Sequence, residues 1–209
     1  MINEKPPARP RGRPRGFDRD EALTKAAETF WKLGYEGASI VDLTAAMGIT
    51  PQSLYAAFNS KADLYREALN RYIDTAGGFA GQALAEEPTA VAAFARLLRE
   101  AAREYCRPDQ PRGCMLLTGV LACAAENEMV AAHAAELRAK VLANFRSRIE
   151  RGVRDGDLKP DTDALALARY LQAVLQGMSL QARDGATEAD LVAIAATAEA
   201  ELARRAAGS

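Results

Sequence analysis

Three thiols, one imidazole and a cluster of arginines are the side chains in this 209-residue chain with the most chemistry to offer. A single histidine, His133, excludes metal sites built on two histidines and weakens any histidine-based triad. No paired-carboxylate, glycine-rich phosphate or metal motif stands out, so the chain does not read as an enzyme and calls for no cofactor. Cys114 lies close to Arg112, near the start of an apolar helical stretch. A helix N-terminus and a cation both favour thiolate, which makes Cys114 a candidate redox residue. Cys106, across a Pro-containing loop, is a candidate resolving thiol. Cys123 falls on the opposite side of that helix from Cys114 at about 100° per residue, so those two cannot bridge within one chain. The competing role for all three is small apolar filling of an alanine-rich core.

Those side chains need elements to position them. Of the 209 residues 45 are alanine, while valine, isoleucine and aromatics are sparse. That composition predicts an all-α protein with enough chain for a real core. The longest uncharged apolar stretch, Gly113 to Ala125, is too short to span a bilayer. The first 16 residues lack the apolar centre of a secretory signal. Three cysteines without an export signal point to a reducing, cytoplasmic setting. The net charge of −1 hides an asymmetry: residues 1–16 hold Lys5, Arg9, Arg11, Arg13 and Arg15 against Glu4. A basic arm on a mildly acidic body suits a local polyanion-binding end. Four of the nine prolines also fall in its first 14 residues, which predicts an arm that is disordered when free.

Periodicity and capping signals predict about nine helices. The first starts at Asp18 with Glu21 in the capping-box place and stops at Gly34. Ser39 caps a second, short helix that ends before Gly48. Thr50-Pro51 opens a third, with Thr as cap and Pro where a missing N–H costs nothing. Ser60 caps a fourth that runs through Tyr72. The fifth follows Pro88 to Tyr105, and a sixth, apolar nearly all round and therefore central, covers 112–125. A long seventh spans 128–154, an eighth starts near Asp161, and Thr187 caps the ninth.

Two short helices separated by a glycine turn are helix-turn-helix grammar. Leu43, Met47, Ile49 and Leu54 would lock the pair, and Gly48 would supply the turn. Upstream, Arg11-Gly12-Arg13-Pro14 reads like an AT-hook core, which lies extended in a narrow minor groove. An arm beside a helix-turn-helix follows the homeodomain logic of one helix in the major groove and one arm in the minor groove. Together they indicate DNA binding.

The stretch from Phe17 to Tyr72 resembles the DNA-binding domain of the TetR family of bacterial transcriptional regulators. The resemblance rests on Phe30, Gly34-Tyr35, Ser39-Ile40, Gly48-Ile49-Thr50, the run Ser53-Leu54-Tyr55-Ala56-Ala57-Phe58, and Ser60-Lys61 with Leu64. Thr44 stands where alanine is usual and Ala62 where an acidic residue is usual, though Asp63 keeps the cap. The resemblance implies a basic arm over 1–16, a DNA-binding domain over 17–75, and a ligand-binding and dimerisation domain over 76–209. It also implies that the third helix reads DNA. Thr50, Gln52 and Ser53 would then face base edges, where Gln can read adenine bidentately. Tyr55 and Lys61 would hold phosphates, Ser39 would do likewise, and Thr44 could give a hydroxyl to one. Arg11, Arg13 and Arg15 would supply the arm contacts. Ser39 and Thr50 serve equally well as helix caps alone.

A regulator needs an input. Phe94, Leu98, Tyr105, Met115, Leu121, Leu137, Val141 and Leu175, with Thr118, His133 and Gln172 as polar groups, are the candidate pocket; each serves equally well as core. The last two helices, rich in alanine, suit a four-helix dimer interface, and a dimer offers two recognition helices to a palindromic operator. The reading is a cytoplasmic, homodimeric repressor released from double-stranded DNA by a small-molecule inducer. The alternative input is modification of Cys114, which Gly113-Cys114-Met115 shares in appearance with TetR-like sensors of electrophiles. A rival from another class is a helical small-molecule-binding protein or enzyme without DNA function.

Overall fold

Local capping chemistry sets the helix starts at the N-terminal end. The computed structural model describes residues 16–208, so Arg11, Arg13 and Arg15 lie outside the described residues. The Asp18 carboxylate accepts from the backbone N–H groups of Asp20 and Glu21 and opens α1 (Arg19–Gly37). Ser39 and Asp42 form a reciprocal capping box on α2 (Ile40–Met47). Thr50 caps α3 (Pro51–Phe58), with Pro at its first turn, and Ser60 caps α4 (Lys61–Asp74). Each such cap contributes about 1 kcal/mol by satisfying an N–H that the helix leaves unpaired. Gly48 sits in the left-handed region at φ 69°, where a side chain is strained, and so makes the turn between α2 and α3.

The C-terminal body comprises α5 (Phe79–Glu86), α6 (Ala90–Glu104), α7 (Met115–Thr118), α8 (Glu128–Asp155), α9 (Ala164–Arg183) and α10 (Glu188–Arg204). A 3-10 turn, Ala125–Asn127, precedes α8, and no strand occurs among the described residues. The all-α expectation holds. Two elements differ from it. α5 is an additional helix, whose signal Gly77, Gly78 and Gly81 weaken, since glycine disfavours helix. The helix expected over 112–125 shrinks to the single turn α7. Its apolar run is buried from Cys114 to Leu117, and the chain then unwinds until Leu121 is 70% exposed. An all-apolar run has no periodicity to distinguish a buried helix from buried coil.

Two aromatic groups anchor the ends. Phe30 packs edge-on to Tyr65 at 5.0 Å, and Tyr35 does so at 5.2 Å, joining α1 to α4. In the body Phe94 of α6 meets Phe145 of α8 at 5.2 Å. Arg19 bridges α1 to α4 through both oxygens of Glu67 at 2.8 Å and lies over the Phe58 ring.

The two ends are bolted together at the end of α1. Gly34 breaks the helical dihedrals there, so the sequence-predicted stop is real although helix resumes to Gly37. The Tyr35 N–H donates to Gly119 O at 2.9 Å. Glu36 accepts from Ala124 N and from Asn127 Nδ2, both at 2.9 Å, and these bonds hold its carboxyl below the usual range. From α9, Arg183 donates to Trp31 O and Lys32 O.

Candidate nucleic-acid interface and ligand cavity

The outer face of α3 carries the groups that can meet DNA. Gln52 and Thr50 are exposed and Tyr55 is 47% exposed, so Tyr55 is not a core residue. Leu54 and Phe58, on the opposite side of the same helix, are buried. Thr50 Oγ1 accepts from Ser53 N at 3.2 Å and contacts Ser53 Oγ at 3.0 Å, which fixes both hydroxyls at the helix start. A groove of about 650 Å³ between α2 and α3 is lined by Thr44, Thr50, Ser53 and Val41, and also by Gly16 and Phe17. The root of the basic arm is therefore set beside α3.

The remaining DNA candidates differ. The Ser39 hydroxyl donates to Asp42 at 2.6 Å and accepts from Asp42 N, so capping already occupies it. Thr44 is corrected as a phosphate donor: it is buried, and its hydroxyl donates back to Ile40 O at 2.8 Å. That bond absorbs its only proton, and the residue serves the α2–α3 contact. Lys61 begins α4 and rests its ammonium 4.4 Å over the Tyr35 ring. Burial lowers its pKa and Glu36 opposes that shift.

The body encloses a cavity of about 610 Å³ between α4, α5, α7, α8 and α9. Its apolar wall is Ile73, Phe79, Leu116, Leu117, Val141, Phe145 and Leu175; its polar groups are Tyr72, Tyr105, Cys114, Asn144 and Gln172. Asp74 and Glu86 stand at its edge. Of the expected pocket residues the structure brings together Tyr105, Val141, Gln172 and Leu175. The others do not line it. Phe94, Leu98 and Met115 are wholly buried and pack as core. Leu137 packs half-buried against the core, and the Thr118 hydroxyl is spent on Cys114 O at 2.8 Å. His133 is half-buried elsewhere on α8, and Leu121 faces solvent. Sequence reasoning missed Tyr72, Ile73 and all of α5. Tyr72 is the last aromatic side chain of α4, and the Gly-rich flank after it is the signal in the sequence that the chain turns there.

Cys114 is corrected too. Arg112 does not face it: the guanidinium donates to Ala182 O at 2.7 Å, to Ala186 O, and to Cys106 Sγ at 3.4 Å. Because α7 is only four residues long, little dipole backs the thiol. Burial pushes the Cys114 thiol up, while the hydroxyls of Tyr72 and Tyr105 oppose it. Cys106 is also raised, by burial first, with Arg112 opposing. Cys123 lies beyond the end of α7, near Tyr35, so the shared helix assumed for it and Cys114 does not exist.

A recognition helix presented on an end of four capped helices, bolted to a cavity-bearing helical body, defines a helix-turn-helix DNA-binding regulator. Comparison with known proteins agrees in both halves. Residues 22–68 match the family model "Bacterial regulatory proteins, tetR family", and residues 90–200 match "Tetracyclin repressor-like, C-terminal domain". The chain is 36% identical over 193 residues to the HTH-type transcriptional repressor ComR of Escherichia coli K12, covering 90% of each. It is 30% identical to the HTH-type transcriptional repressor BdcR of the same organism, covering 95% of each. Among solved structures, a cysteine variant of the TetR family regulator CifR, complexed with a 26-bp double-strand operator DNA, is 42% identical. It superposes with a TM-score of 0.88 over 90% of this chain and 98% of that one. The chain belongs to the TetR family of transcriptional regulators.

Proposed function

We propose that the chain is a homodimeric repressor that holds a palindromic operator and releases it when a small molecule fills the cavity. The observation that carries this reading is that one helix serves both sites. α4 begins with Lys61 beside α3 and ends with Tyr72, Ile73 and Asp74 at the cavity, about 20 Å away at 1.5 Å per residue. A ligand that displaces Tyr72 moves α4 and, through the α1 junction, changes the spacing of the two recognition helices.

The dimer uses α9 and α10. Leu165, Tyr170, Leu180 and Val192 are exposed there among exposed alanines of α10, a surface that a second copy would cover. The 26-bp duplex bound by CifR is long enough for two half-sites one helical turn apart, about 34 Å, as a dimer requires. Gln52, Thr50 and Ser53 read bases, Tyr55 and Lys61 hold phosphate, and Arg11, Arg13 and Arg15 add minor-groove contacts. The protein acts in the cytoplasm and catalyses no reaction.

DNase footprinting tests it: one protected palindrome supports the reading, and smeared protection defeats it in favour of an architectural DNA protein. Deleting residues 1–16 should weaken operator binding and reduce its salt slope, because fewer counterions are released. A second input is favoured by one observation, a thiol set in the cavity wall beside two tyrosines. Modification of Cys114 would insert a bulky group where a ligand otherwise sits. Operator release by an alkylating agent in the wild type but not in Cys114→Ser would establish it.

A further inference from the structure

We infer that the cavity is built for an amphipathic anion, whose head group sits on a set of arginines just outside the apolar wall. This inference rests on the inducer reading above and names the ligand's chemical class. A groove of about 290 Å³ runs between α5 and α8, and Arg148, Arg151 and Arg154 line it at successive turns of α8. None of the three is ion-paired among the described residues. Arg148 is only 5% exposed, yet it spends one nitrogen on Glu87 O at 3.1 Å, while Nε and Nη1 are buried without partners. Leaving two guanidinium nitrogens buried and unsatisfied costs free energy that an anion would recover.

The charged groups nearby do not fill that role. Asp155 and Asp157 favour the Arg148 cation at longer range, and Arg151 opposes it. One Asp157 oxygen is taken by the Ala90 N–H, and the other is buried without a hydrogen-bond partner, so it makes no bond to Arg148. Glu86, at the cavity edge, is already paired with Arg96 at 2.9 Å. DNA is not the counterpart either. α8 touches the DNA-binding end at its own start, where Asn127 meets Glu36. Arg148 lies 21 residues further along, about 30 Å away at 1.5 Å per residue.

The link to the cavity is geometric. Gly81, Ala85 and Asn144 border both the groove and the cavity. Gly81 and Ala85 belong to α5, which has no side-chain cap at its start. An apolar body lying against Phe79 and Leu175 can therefore extend a carboxylate or similar anionic group past α5 onto the arginines.

The test uses the full-length protein and a series of straight-chain carboxylates from hexanoate to dodecanoate, each paired with the alcohol of equal length. Binding is measured by calorimetry, and operator release by fluorescence anisotropy in parallel. The best carboxylate should bind at least tenfold more tightly than its alcohol at low salt, with the gap narrowing as salt is raised. In the surface double variant Arg151→Gln/Arg154→Gln the gap should shrink severalfold with alcohol binding unchanged. Arg148→Lys, which keeps a charge in the buried position but loses the planar fork of donors, should also narrow the gap. The inference is overturned if no carboxylate binds, if acid and alcohol bind alike, or if the preference survives the double variant. A carboxylate that binds through the arginines but leaves operator affinity unchanged supports the anion site and defeats the inducer reading. Release by neutral compounds alone does the reverse.

Discussion

Between Asp18 and Tyr72 every helix starts on a side chain that accepts a backbone N–H: Asp18, Ser39, Thr50 and Ser60. Around the cavity the pattern inverts. α5 starts at Gly78 and α7 at Cys114, and neither has such a bond. α8 starts at Asn127, whose amide instead donates to Glu36 and accepts from the Tyr35 hydroxyl of the DNA-binding end. Thr89, Asp163 and Thr187 do cap α6, α9 and α10, so the body has a fixed frame with adjustable walls. A surface that must match a duplex in advance benefits from locked local geometry, whereas a wall that must yield to a ligand sits at the low-stability end of the same fold.

That contrast can be broken by measurement. The largest effect belongs to the aromatic anchor of the locked end. Phe30→Ala should cost about 3–5 kcal/mol in urea unfolding, as removal of a wholly buried ring does. A loss below about 1 kcal/mol would mean that the anchor is not what holds α1 to α4.

Gln52→Ala should cost about 1–3 kcal/mol of operator binding at particular base pairs and relax preference there, with stability unchanged. Lys61→Ala should weaken all sequences alike. Identical sequence profiles for the two variants would remove the division between base reading and phosphate holding.

One substitution made in each region sharpens the comparison further. Gly48→Ala places a side chain at φ 69° and should destabilise by about 1–2 kcal/mol. Gly81→Ala lies within helical α5, with nothing within 4 Å of the added carbon, and should stabilise by about 0.5–1 kcal/mol. It should also slow amide exchange across α5. If both changes act with the same sign, the two regions do not differ as argued.

The smallest response near neutrality is to pH. Cys114 titrates higher in the folded chain than the roughly 8.5 of a free thiol, because it is buried. Protonation therefore favours the fold: stability is full below about pH 8.5 and falls as pH rises through the folded value. Tyr72 and Tyr105, raised by burial as well, extend the loss above about pH 10. The difference between the urea midpoints of wild type and Cys114→Ala should be constant up to about pH 8.5 and should shift against the wild type in alkali. Parallel curves throughout would place the thiol in water.

The legible part of the molecule was the part whose determinants are close in sequence. Ser39 with Asp42, Thr50 with Ser53, and Ser60 with Asp63 are bonds between residues three apart, so helix starts at 40, 51 and 61 could be read from residue types. Gly48 needed only its own missing Cβ. Where no such bond exists the residue types are silent: nothing local marks the start of α5, and nothing local shows that the apolar run over 112–125 keeps only the single turn α7.

By itself the sequence determined the helical class, the capped helix-turn-helix and the arginine-rich arm, because capping, turn chemistry and charge content act within a few residues. Tertiary structure alone decided which helix face meets the cavity and which cation meets which thiol. Tyr72, Tyr105, Asn144 and Gln172 come from four separate stretches of chain and share one wall only after packing. Arg112, two residues from Cys114, turns instead to Cys106 Sγ and to Ala182 O and Ala186 O, which are distant in sequence. Buried carbonyls must find hydrogen-bond partners wherever the folded chain supplies them, and sequence spacing does not encode that choice.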